Sequence, residues 1–137
     1  MIGAIVGDIV GSIYEFNSHK SKDFELFGPG CTFTDDTVLT VAVADWLLNG
    51  ARDDLADYLT TWTFRYPHCS YGGMYWRWAN SSNREPYNSY GNGSAMRVSA
   101  CGWFSDSMTE ALSLAERSAE VTHNHLEGIM GAQATVH

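Results

Sequence analysis

The stretch CTFTDDTVLTVAVADWLL, Cys31 to Leu48, decides how this chain is read. From about Asp36 onward it is apolar on nearly every side, through Val38, Leu39, Val41, Ala42, Val43, Trp46 and Leu47. A helix with no polar face is a buried one, so this segment is expected at the centre of the fold. Asn49-Gly50 supplies its stop. At its mouth two adjacent acids, Asp35 and Asp36, stand between threonines. They repel each other, and placing both beside a buried helix is costly unless something positive joins them. Two readings stand. An acid at a helix start is favoured by the helix dipole and by capping. Carboxylates and hydroxyls are also hard oxygen ligands suited to Mg²⁺ or Mn²⁺, and adjacent acids can each take one ion of a pair. A cap accounts for one carboxylate well and for two beside flanking threonines less well.

Upstream, MIGAIVGDIVGSIYEF places apolar residues at Ile2, Ile5, Val6, Ile9, Ile13 and Phe16, which is helical spacing. Gly3, Gly7 and Gly11 recur every four residues and form a bare stripe where a backbone or ligand can approach. Asp8, Ser12 and Glu15 share a face beside it. That pattern reads as a site wall in which Glu15 with Asp8 offers an acid/base partner for such ions, or as a solvated helix face. Downstream, Asp53 or Asp54 caps a short amphipathic helix through Leu55, Tyr58, Leu59 and Trp62. Residues 66 to 90 turn to loop chemistry, with Pro67, Gly72-Gly73, Asn80 to Asn83 and Pro86 among dense aromatics. SYGNGSAMRVSACGWF runs from a glycine turn into a short apolar helix, Ser107 to Thr122 forms another, and LEGIMGAQATVH begins a last one. The pattern is all-helical, with polar residues gathered in loops.

A length of 137 residues fits one compact domain with a real core, and 45% hydrophobic against 18% charged residues is a globular composition. A formal charge of −8 argues against a nucleic-acid grip, which needs clustered Lys and Arg. An acidic chain still binds an anion when a metal or backbone N–H groups meet it. Three cysteines, widely spaced and without a CxxC pair, argue against a disulfide framework or zinc site and for a reducing compartment. No run approaches the ~20 apolar residues of a membrane span, and Asp8 without a basic leader argues against a signal peptide. A cytoplasmic protein is the expectation.

Gly72-Gly73 and Gly91-Asn92-Gly93-Ser94 can present backbone N–H groups to a phosphate, although turns explain most glycine pairs. Arg97 follows closely enough to reach a phosphate or a buried acid. His123 and His125, two apart, lie on different helix faces, so capping, packing or a single ligand contact is favoured over a shared ion. His68-Cys69 lacks a third orienting group and is discounted as a nucleophile pair.

In this order, the pieces resemble the ADP-ribosylglycohydrolase family, which includes the dinitrogenase reductase-activating glycohydrolases. GAIVGDIVGSIYE is similar to its first helix and TFTDDTVLT to its first metal motif. PYNSYGNGSAMRVSACGW is similar to its substrate loop and following helix, and THNHLEGIMGAQA to the segment leading towards its second metal motif. The resemblance implies an all-α orthogonal helical bundle with a central two-Mg²⁺ site. It implies Thr34, Asp35 and Asp36 as metal ligands, and Glu15 near the scissile bond. Gly72 and Gly73 would then lie by the diphosphate, Ser89, Tyr90, Gly91 and Asn92 along ADP-ribose, and His123 near the ligand. The implied reaction hydrolyses the bond between ADP-ribose and a modified side chain or similar acceptor, with Glu15 or Asp35 moving the proton.

The family pattern continues to a glycine-rich Asp-x-Asp-Thr motif, and these 137 residues contain no Asp-x-Asp. The expectation is therefore a single truncated domain over residues 1–137. Three roles follow from it: a glycohydrolase portion, an inactive ADP-ribose-binding module, or a structural protein whose bared apolar surface drives self-association or takes a complementing C-terminal chain.

Overall fold

The structure, a computed structural model, describes residues 1–137 and contains helices without strands. Eight α-helices follow in order: α1 (Ile2–Gly11), α2 (Asp35–Leu48), α3 (Leu55–Arg65), α4 (Gly73–Ala79), α5 (Gly93–Arg97), α6 (Ser99–Phe104), α7 (Met108–Glu120) and α8 (Leu126–Val136). A 3-10 turn, Ser12–Tyr14, extends α1. No helix is long and apolar enough to cross a membrane.

The apolar surface of α2 is the reason for its central place. Val38, Leu39, Ala42, Val43, Trp46 and Leu47 are all buried, and α1, α3, α5 and α6 pack around it. Burying each large aliphatic side chain contributes about 1.5–3 kcal/mol, so this helix anchors the core. It ends at Asn49, and Gly50 follows at φ +84°, a left-handed conformation that only glycine adopts without strain. The side chain of Asp54 accepts from the Ala56 N–H and starts α3, and Ser107 accepts from the Glu110 N–H and starts α7. His125 starts α8 by accepting from the Glu127 N–H, so the capping reading holds for this histidine.

Two expectations are corrected. The stretch from 66 to 90 is not all loop, because α4 lies within it and buries Tyr75, Trp78 and Ala79. The helix after the glycine turn is two short helices, α5 and α6, separated at Val98.

α1 packs on α2 but buries only Val10. Ile2 is 76% exposed and Phe16 84% exposed, so much of the helical apolar pattern near the N-terminus faces outward. A Cβ added at Gly3, Gly7 or Gly11 would meet no neighbouring atom within 4 Å, so the stripe is not needed for close packing within the chain.

Candidate active site

The start of α2 is hydrogen-bonded to α1 through Asp8. Its Oδ2 accepts from the Thr34 N–H at 2.8 Å, the Thr37 N–H at 3.2 Å and the Thr37 hydroxyl at 2.5 Å. Its Oδ1 accepts from the Thr34 hydroxyl at 2.6 Å. Thr34 is the residue at the N-cap, and its Oγ1 accepts in turn from the Asp36 N–H at 3.2 Å. Asp8 therefore holds α1 against α2 as a cap supplied from another helix. Its carboxylate is occupied by four donors, while Glu15 beside it on the cavity wall is not bound in this way.

Asp35 and Asp36 are placed differently. Both are half-buried, and neither carboxylate receives a hydrogen bond from another residue. Burial pushes the Asp35 carboxyl up to about 7, helped by the charges of Asp36, Glu15 and Asp8 and opposed by its own backbone N–H. Burial also raises Asp36, with Asp8 and Glu15 adding to the shift. These groups face a cavity of about 480 Å³ lined by Asp8, Glu15, Asp35 and Asp36 together with Ser12, Thr34 and the bare backbone of Gly7 and Gly11. No basic residue lines it.

A second cavity, about 330 Å³, adjoins the first, and Asp35, Gly72, Asn92 and Met96 belong to both walls. Its character is opposite. Leu39, Met74, Tyr75, Tyr87 and Met96 give it an apolar lining, and Arg97 and His123 are its basic groups. Gly73, Ser89 and Gly91 complete the loop side. An added Cβ at Gly72 or Gly73 would meet nothing within 4 Å, so backbone is presented directly to the space.

Of the residues singled out from sequence, Glu15, Thr34, Asp35 and Asp36 thus gather at the first cavity, and Gly73, Ser89, Gly91 and His123 at the second. Gly72 and Asn92 stand at the junction. Tyr90 lines neither; it is 75% exposed, with its ring 5.3 Å from that of His125. Arg97 reaches no acid: it is buried and donates to the Ser118 carbonyl and the Thr122 hydroxyl. Tyr75, Tyr87 and Met96 were not singled out as site residues; Tyr75 and Tyr87 lie in the aromatic-rich stretch from 66 to 90, but only the fold brings them together.

A family model for ADP-ribosylglycohydrolases matches residues 1–137. The chain belongs to the ADP-ribosylglycohydrolase family. Among curated proteins it is similar to the ADP-ribosylhydrolase ARH3 of Xenopus tropicalis, 28% identical over 161 aligned positions that cover 96% of this chain and 46% of that protein. It is also similar to the ADP-ribosylhydrolase ARH3 of Mus musculus, 29% identical over 165 positions covering 96% of this chain and 45% of the relative. The chain thus spans about half the length of the curated relatives it matches.

Within this member of the family, the donor set at α2 suits a hard divalent cation. Asp35 and Asp36 are carboxylates without donors from other residues, and Thr34 Oγ1 keeps one lone pair after accepting from Asp36. The set is partial, since no three His, Cys, Asp or Glu side chains converge closely enough to hold a metal.

Proposed function

We propose that this chain carries the ADP-ribose-binding and first metal-binding half of an ADP-ribosylglycohydrolase, which cleaves the glycosidic bond between ADP-ribose and a modified side chain or related acceptor. One observation carries the reading: an acid-lined cavity without a basic group adjoins an apolar cavity whose wall holds the Arg97 cation and a neutral His123, with Gly72 and Asn92 common to both. A nucleotide sugar has the matching polarity, with an aromatic base and phosphates at one end and ribose hydroxyls at the other.

Thr34, Asp35 and Asp36 would hold the metal, Mg²⁺ in a pair or Mn²⁺ in its place. Bound there, it would supply charge neutralisation and a water of lowered pKa. Glu15 and Asp35 are the candidates for moving a proton as positive charge develops on the sugar. Glu15 is exposed on the cavity wall and free to meet a water; Asp35 stands at the junction of both cavities. The second cavity would take the nucleotide, with Gly72, Gly73, Ser89, Gly91 and Asn92 on its wall and His123 beside the loop that carries Gly91. Tyr90, exposed at the rim, would cover the base.

The remaining metal ligands would come from a second copy, a complementing C-terminal chain or a further segment. Exposed Trp103 and Leu126, 82% and 66% accessible, with the outward face of α1 offer the apolar surface for that contact. Light scattering of the 137-residue chain should show self-association, and a strictly monomeric particle removes the second-copy route.

Calorimetric titration of ADP-ribose with Mg²⁺ and then with EDTA tests the reading. It is paired with release of ADP-ribose from modified serine and arginine peptides. Metal-dependent binding with release is expected of a working half-site. Binding without release favours a second reading, an ADP-ribose-binding module, which the partial donor set supports. Absence of binding in both buffers refutes both.

A further inference from the structure

The loop that carries Ser89 to Asn92 is tied to the turn between α7 and α8. The Tyr87 hydroxyl is hydrogen-bonded to the side chain of Thr122, and the Ser89 N–H donates to the Thr122 carbonyl at 3.4 Å. Asn88 stands between these two anchors with φ +53°. That left-handed conformation carries a cost for any residue with a Cβ, and asparagine is among the few that adopt it readily. The Asn88 N–H donates to Asn124 Oδ1 at 2.8 Å, across 36 residues of chain.

Downstream of Asn88 the loop fits closely. A Cβ built on Gly128 would lie 2.8 Å from the Ser89 carbonyl oxygen, and the buried Ser94 hydroxyl donates to the Gly128 carbonyl at 2.7 Å. Ser89 Oγ accepts from the Gly91 N–H at 3.2 Å. Tyr87, Ser89 and Gly91 line the second cavity, whereas Asn88 and Asn124 line neither of the two. Both asparagines are exposed. The direction in which the backbone leaves Asn88 sets where Ser89 and Gly91 stand, and the bond from Asn124 is the side-chain contact that holds that direction.

We infer that Asn124 is a positioning residue: from outside the second cavity, its side-chain oxygen holds Asn88 left-handed and so presets the Ser89–Gly91 wall for a ligand. The inference rests on the reading of that cavity as the nucleotide subsite. A wall set before binding leaves less chain to order when the ligand arrives, so affinity is gained without a contact to the ligand. Because the bond is exposed, water can replace either partner, and its loss should show in the loop and in binding rather than in overall stability.

The test uses the full chain and two readouts: amide hydrogen exchange at Asn88 by NMR, and calorimetric titration of ADP-ribose with Mg²⁺. In Asn124→Ala the Asn88 amide should exchange about fivefold faster and ADP-ribose should bind about fivefold more weakly, the size of one neutral hydrogen bond, with little change in Tm. Asn124→Asp keeps the acceptor oxygen and should return both readouts towards wild type, which separates positioning from a general loosening of the turn. An Asn124→Ala protein with unchanged exchange and affinity overturns the inference. So does faster exchange with unchanged affinity, which makes the bond structural only. If the wild-type chain binds no ADP-ribose, the nucleotide reading fails and the ligand role of Asn124 falls with it. The exchange at Asn88 tells that failure apart, since it reports the bond without any ligand.

Discussion

Removing Asp8 should destabilise the protein even when no metal is available. Asp8 accepts four hydrogen bonds, two from backbone N–H groups at the start of α2 and two from threonine hydroxyls. Loss of a single N-cap side chain costs about 1 kcal/mol. Hydrogen bonds to a charged acceptor contribute about 1.5–3 kcal/mol each, and their losses overlap when they share one group. Relief of the repulsion between Asp8 and Asp35 and Asp36 works the other way. Balancing these, Asp8→Ala should lose about 3 kcal/mol, which for a domain of this size lowers Tm by roughly 10 °C. Asp8→Asn keeps one acceptor oxygen, and about 1 kcal/mol is its expected loss. Urea denaturation in EDTA at pH 8, monitored by far-UV circular dichroism, measures both. An Asp8→Ala protein as stable as wild type, or more stable, would refute the idea that this carboxylate joins α1 to α2. It would instead group Asp8 with the unsatisfied acids beside it.

Asp35→Asn should act in the opposite direction. Its carboxyl is raised from 3.8 to about 7, so the folded state binds more protons than the unfolded chain between those values. Its contribution to stability is present in acid, declines as pH rises through about 7 and stays absent above. In EDTA at pH 8, Asp35→Asn should therefore gain about 2 kcal/mol, discounted for solvent screening at a half-buried site, and the gain should vanish at pH 4. Added Mg²⁺ or Mn²⁺ should raise the Tm of the wild-type chain, by the equivalent of about 2.7 kcal/mol at a hundredfold excess over Kd. The doubly substituted Asp35→Asn, Asp36→Asn protein should show no such rise by differential scanning fluorimetry. Gly128 and Gly131 provide a paired comparison within α8. A Cβ at Gly128 would lie 2.8 Å from the Ser89 carbonyl oxygen, whereas at Gly131 it would meet nothing within 4 Å. Gly131→Ala should gain up to about 1 kcal/mol from helix propensity. Gly128→Ala should lose about 1–3 kcal/mol by overpacking against the loop that carries Ser89. Equal thermal midpoints for the two variants would remove the contact between α8 and that loop from the account.

What could be read from the sequence was what local chemistry specifies. α2 was legible because its run is apolar all round and bounded by Thr34 and Asn49-Gly50. The starts of α3 and α7 were legible because Asp54 and Ser107 cap them through their own side chains. α4 was hidden because it spans only seven residues and is bracketed by Gly72, Asn80 and their neighbours, which signal turns. Its burial comes from Tyr75 and Trp78 meeting a core built by other elements, and no local pattern announces that. The acid pair at Asp35 and Asp36 was legible as a concentration of charge. The role of Asp8 was not, since its four bonds cross 26 and 29 residues of chain.

That long-range cap bears directly on the metal role proposed for the acid pair. The first turn of an α-helix offers unpaired N–H groups and a partial positive charge, which together stabilise nearby anions. Here those donors are already committed. Asp8 takes the N–H of Thr37 and of the N-cap residue Thr34, and the Thr34 hydroxyl takes that of Asp36. The Asp35 N–H lies against its own carboxylate, the one stabilising contribution that group receives. The dipole therefore cannot neutralise Asp35 and Asp36, although they sit in its first turn. Four carboxylates share the cavity and no basic side chain lines it, so no side chain of that wall supplies a compensating charge. A proton on Asp35, whose carboxyl is held up at about 7, relieves the repulsion up to neutral pH, and a divalent cation is the compensation that the proposed function calls for. Asp8, by consuming the helix N-terminus, leaves the carboxylates of Asp35 and Asp36 without a protein donor, as the proposed metal role requires.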